Sequence, residues 1–71
     1  MVRTDAESYL LRQKYVDIIL GISRATGLSL NESFHKFYRS RVYKRMNEDD
    51  IEEVLDRDDG LFIQELKEEL K

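Results

Sequence analysis

NESFHKFYRSRVYKRM, residues 31–46, is the stretch whose reading decides the fold. Leu30, Phe34, Phe37 and Tyr38 recur at helical spacing and make one apolar face. A helix running straight on to Met46 would place Arg41 and Arg45 in the middle of that face. It would also turn Val42, Tyr43 and Met46 away from it. Burying an unpaired guanidinium is very costly. A break near Ser40 removes the conflict, because the serine can cap a new short helix from about Arg41 to Met46. His35, Lys36 and Arg39 then lie on the outer face of one helix, and Arg41, Lys44 and Arg45 on that of the next.

On the N-terminal side, Ser29 and Glu32 form a capping box that starts the helix near Leu30. Gly27 is a terminator suited to the left-handed conformation. Before it lies a long helix starting near Asp5, with Thr4 and Glu7 as a second T-x-x-E box. Its stripe is Leu11, Tyr15, Ile18, Ile22 and Ala25, widened by Ile19. Tyr9, Val16 and Leu20 make a second apolar line, roughly opposite the first at about 100° per residue. A helix with two apolar faces is covered on both sides within its own chain, or its second face meets another chain. Gly21, inside this helix, costs up to ~1 kcal/mol relative to alanine; it either allows a close neighbour or has no role.

On the C-terminal side, Asn47 reads as a stop and the next cap, with Asp49 and Asp50 in the first turn of a fourth helix. That helix carries Ile51, Val54 and Leu55. Residues 56–60, DRDDG, read as a turn. A last helix follows with Phe62, Ile63, Leu66 and Leu70 on one face. The expected fold is therefore all-α: one domain over residues 1–71, a compact bundle of four to five short helices. Its expected core is Leu11, Tyr15, Ile18, Ile22, Phe34, Phe37, Val54, Phe62 and Leu66.

Composition narrows the function classes. With 71 residues, no cysteine and no proline, the chain has no disulfide, zinc thiolate or thiol chemistry available. A chain this short buries only ~60% of its unfolded surface, and dimerisation is a common remedy. No apolar run approaches the ~20 residues of a membrane span. The N-terminus lacks a signal-peptide core, so a cytoplasmic location is expected and the sequon at Asn31 reads as chance. Net charge is −3, but unevenly placed: +1 over residues 1–30, +4 over 31–46 and −8 over 47–71. The two oppositely charged segments are expected to neutralise each other, within one chain or across a dimer.

Candidate chemistry is sparse. Setting Gly60 at position 6 of a calcium loop would put Leu55 at position 1 and Leu66 at position 12, which fails the ligand pattern. The acids are expected to be solvated faces and helix caps. The single histidine, His35, is expected on an exposed face among cations, without the orienting partner a general base needs. No catalytic, metal or cofactor residues are assigned, and the chain reads as non-enzymatic. Phe34, Phe37 and Tyr38 are at core spacing, so rings for stacking on bases are not expected to be free. With a pI near 5.1, direct nucleic-acid binding is not the primary expectation.

Two resemblances add to this reading. TGLSLNESFHKFYRS, residues 26–40, resembles the first helix of ribbon-helix-helix antitoxins, although a helical stripe precedes it here in place of their β-strand. Residues from about 9 to 70 resemble a group of small bacterial helical proteins of unassigned function with an F-Y-x-S-x-x-Y core. Here that core is Phe37, Tyr38, Ser40 and Tyr43. The resemblance implies a small helical bundle, sometimes encoded beside toxin-like genes, with a binding role and no chemistry of its own. The leading expectation is a homodimeric interaction module that binds itself or another protein through Tyr9, Val16 and Leu20. The alternative is an antitoxin-like DNA-binding regulator using Lys36, Arg39, Arg41, Lys44 and Arg45.

Overall fold

A computed structural model of the chain describes residues 5–71. The chain order is α1 (Asp5–Thr26), α2 (Leu30–Tyr38), α3 (Arg41–Glu48), α4 (Ile51–Asp56) and α5 (Asp59–Glu69), with no strand among the described residues. The all-α bundle of five helices is as expected. The cap at Thr4 lies outside the described residues.

Local chemistry sets the boundaries. Gly27, at φ 79°, donates its N–H to the Ser23 carbonyl at 2.9 Å and ends α1. The Ser29 hydroxyl accepts from the Glu32 N–H at 3.1 Å and opens α2. Ser40 breaks the opening stretch as required: its hydroxyl donates to the Phe37 carbonyl at 2.6 Å and accepts from the Tyr43 N–H at 3.1 Å. Two boundaries differ from the sequence reading. Asn47 does not stop α3, which runs through Glu48, and Asp50 caps α4. The expected turn over residues 56–60 shrinks to Arg57 and Asp58, because Asp58 caps α5 and Gly60 already lies inside that helix.

The 22-residue α1 is the spine. At 1.5 Å per residue it is ~33 Å long, which matches the 34 Å long axis of the molecule. It packs against α2, α4 and α5, while α3 closes the other side against the same three helices. The core holds Leu11, Tyr15, Ile18, Ile19, Ile22, Phe37, Val42, Met46, Val54, Phe62 and Leu66. Val42 and Met46 enter it because the break at Ser40 re-aims α3. Phe34 was expected there and is not: it is 47% exposed, and the fully buried Ser33 and Phe37 face inward instead. Ala25 likewise lies outside, so the first stripe ends at Ile22.

Lys14 is buried on this spine. Its ammonium pairs with Asp59 at 2.8 Å, donates to the Arg57 carbonyl and lies 5.5 Å from the centre of the Phe62 ring. This ties α1 to the α4–α5 corner and satisfies a charge that would otherwise be costly inside.

Candidate interaction surface

Four rings converge on the F-Y-x-S-x-x-Y segment. Tyr15, Phe37, Tyr38 and Tyr43 all meet pairwise, with centroids 4.6 to 6.2 Å apart and mostly edge-on. The Tyr15 hydroxyl donates to the Asn47 side-chain oxygen at 3.2 Å, which gives Asn47 a partner in place of a capping role. The segment is thus a structural unit: two rings, a serine-capped break and a third ring, all seated on Tyr15 of α1.

The cluster opens onto the surface. Tyr38 is 38% exposed, and the Phe34 ring meets it at a tilt, 4.7 Å away. With Leu30, 55% exposed, these residues make an unburied apolar edge on α2. Their helical spacing alone puts all three on the apolar face of α2, toward the core. The amphipathic face of α2 is wider than the surface α1 and α3 offer it, so one edge is left in solvent.

The second line of α1 is open as well. Tyr9 is 68% and Val16 48% exposed, and Leu20 is half-buried. The described chain leaves Tyr9 and Val16 open and covers part of Leu20. Arg12 stands one turn from both Tyr9 and Val16 and connects this face to α2. Burial and the neighbouring Tyr43 phenol push the Tyr38 phenol above its ordinary value of 10.0, and the nearby Arg12 charge partly opposes them. Arg12 thus stands between the open line of α1 and Tyr38, close enough for its charge to act on the phenol. Gln13 and Asp17, hydrogen-bonded to each other at 3.3 Å, form the rim of that open line.

The five candidate nucleic-acid residues are all exposed but are not brought together. Lys36 and Arg39 line one groove with His35, Glu32, Glu69 and Leu70. Arg41 and Arg45 line a second hollow with Glu65, Glu68 and Glu69. Arg45 pairs with Glu65, and the Arg41 N–H donates to the Glu69 carboxylate at 2.7 Å. Lys44 stands outside both. The basic and acidic segments thus meet within one chain at two points, and Glu69 separates the two cationic pairs. His35 is exposed, edge-on to Phe34. Among the described residues, no group of three or more metal-ligating side chains could hold an ion, and no helix is long and apolar enough to cross a membrane.

No family model matches the chain, and neither a curated protein nor a solved structure matches it.

Proposed function

We propose that the chain is a non-enzymatic, cytoplasmic protein–protein interaction module that pairs with a second copy of itself through the open face of α1 and the aromatic edge of α2. The observation that carries this reading is the exposure of Tyr9 and Val16 on a helix whose opposite face is fully buried. Phe34 and Tyr38 add a second exposed apolar edge, on α2. Soluble monomers rarely expose contiguous apolar patches beyond a few hundred Å². Tyrosine and phenylalanine are enriched among interface residues, and tyrosine among the anchors that carry binding energy. A small core gains most from added burial. Two copies related by a two-fold axis would use the same patch twice, with α1 antiparallel to its mate and Val16 near the axis. Asp17 on the rim, and Arg12 between the two apolar edges, would set orientation more than affinity. The resemblance of the Phe37–Tyr43 segment to small bacterial helical proteins supports a binding role.

The DNA-binding alternative has less support, because the cations it needs are split by Glu69 and interleaved with Glu65 and Glu68. The test is solution mass by light scattering at low salt and at ~0.5 M salt, where exposed charges are well screened. A dimer at both salts is expected, and Val16→Glu should convert it to a folded monomer. A monomer at both salts for the unaltered chain would sink the proposal.

A further inference from the structure

The open line of α1 has the spacing of a coiled-coil seam. Tyr9, Gln13, Val16, Leu20 and Ser23 recur at intervals of 4, 3, 4 and 3 residues, which keeps them on one side of a helix and lets two helices interlock. Gln13 and Ser23 are its polar members. The Gln13 amide donates to Asp17 at 3.3 Å and has a second N–H to offer. The Ser23 hydroxyl donates to the Leu28 carbonyl at 2.7 Å, and its oxygen can also accept. Along one flank of the seam run Leu10, Asp17 and Arg24, seven residues apart and all exposed. Neither Asp17 nor Arg24 forms an ion pair among the described residues. The other flank, that of Arg12, includes the buried Ile19 and leads to Tyr38 of α2.

From this pattern we infer that the second copy lies antiparallel in one register, fixed by Asp17 of each copy pairing with Arg24 of the other and Gln13 of each meeting Ser23 of the other. The inference rests on self-association through α1. With the two-fold axis level with Ile18, Val16 lies opposite Leu20 of its mate, Gln13 opposite Ser23, and Tyr9 opposite Gly27. Apolar then meets apolar, and the second Gln13 N–H donates to the Ser23 hydroxyl oxygen. Tyr9 comes over open space, since a Cβ at Gly27 would meet nothing within 4 Å. An antiparallel pair brings like flanks together. Arg24 of the mate falls between Leu10 and Asp17, and its carboxylate partner is ~7.5 Å away along the axis, a span the arginine side chain bridges. Its aliphatic stem covers Leu10, which is 51% exposed in the single chain. A slip of one heptad that sets Tyr9 against Leu20 would press Gln13 on Val16 and carry Asp17 out of reach of Arg24. A parallel pair would bring Arg12 to Asp17, but it would stack Gln13 on Gln13 and set Arg24 beside the apolar Ile19.

The test uses the full chain, which has no cysteine of its own. Light scattering over a dilution series reads the strength of the dimer. Asp17→Arg or Arg24→Asp alone should weaken it ~10-fold, as attraction turns to repulsion at two symmetric points. The two changes together should restore it to within ~2-fold, because the pair is remade with its charges exchanged. Both positions are exposed, so each variant should keep the fold, which circular dichroism checks. Gln13→Cys protein mixed with Ser23→Cys protein should form a mixed disulfide in air, and Gln13→Cys protein alone should not link to itself. Additive losses in the double charge variant would overturn the inference. So would a missing mixed disulfide, or self-linking of Gln13→Cys, which marks a parallel pair or the slipped register. A dimer with any of these results keeps its self-association and loses this register alone, whereas a monomer for the unaltered chain overturns both.

Discussion

Ile63 of α5 lies directly over the bare backbone of Gly21 in α1. A Cβ at Gly21 would come within 2.9 Å of Ile63 Cγ1 and would overlap Cδ1 more deeply. The glycine inside this helix is therefore a contact requirement, and its helix-propensity cost of ~1 kcal/mol is offset by the close approach of α5.

The Gly21–Ile63 contact predicts a reversal of sign. Gly21→Ala should cost about 1–2 kcal/mol, the strain of an overpacked contact less the gain in propensity. In an Ile63→Ala background the same change should stabilise by up to ~1 kcal/mol, since the obstacle is gone. Urea unfolding of the four variants measures the coupling. Additive effects would show that the two helices do not depend on this contact.

Ser33 and Ser40 should respond in opposite ways. Ser33 is fully buried and its hydroxyl has no hydrogen-bond partner among the described residues. Ser33→Ala should be neutral or stabilising, because an unsatisfied buried hydroxyl carries a desolvation cost. Ser40→Ala removes the cap of α3 and the bond to the Phe37 carbonyl, and should cost about 1–2 kcal/mol. Thermal unfolding of both separates them, and a larger loss at Ser33 would contradict the assignment.

The Lys14–Asp59 pair should be asymmetric. Asp59→Asn leaves a cation in a side chain only 9% exposed, facing Phe62, whereas Lys14→Met leaves a carboxylate that is 35% exposed and can be solvated. Losing the partner of the more buried charge is the costlier change. Asp59→Asn should therefore lower the urea midpoint more than Lys14→Met, and the reverse order would mean that the pair is of little account.

Tyr38 gives a pH dependence of known sign. Its phenol titrates higher in the folded chain than the ordinary 10.0, through burial first and Tyr43 second, against Arg12. The stability this reflects is fully present below pH 10 and is lost as pH rises through the folded value, because the unfolded chain ionises first. Unfolding midpoints between pH 9 and 11 should fall more steeply for the unaltered protein than for Tyr38→Phe. Parallel curves would exclude a raised phenol.

Much of the fold can be read from neighbours along the chain. Ser29, Ser40 and Gly27 act within four or five residues, so their roles follow from the sequence alone. The break at Ser40 was legible because the alternative buried two arginines. The rotation of α2 was not. Which edge of a wide apolar face turns inward depends on where Tyr15 and Tyr43 meet Phe37, and those contacts join three helices. Phe34 and Tyr38 therefore looked like core. Asn47 looked like a cap because its partner, Tyr15, lies 32 positions away. The candidate face at Tyr9, Val16 and Leu20 was legible as a second stripe on one helix. The groove was hidden, since nothing local to Arg41 announces Glu69.

The first and last helices of this bundle pack on each other, with Ile63 over Gly21 and Phe62 beside Lys14. The stripe from Leu11 to Ile22 is thus made early in synthesis and covered late. Until α5 is made, the side of the spine that Ile63 and Phe62 cover stays open to solvent.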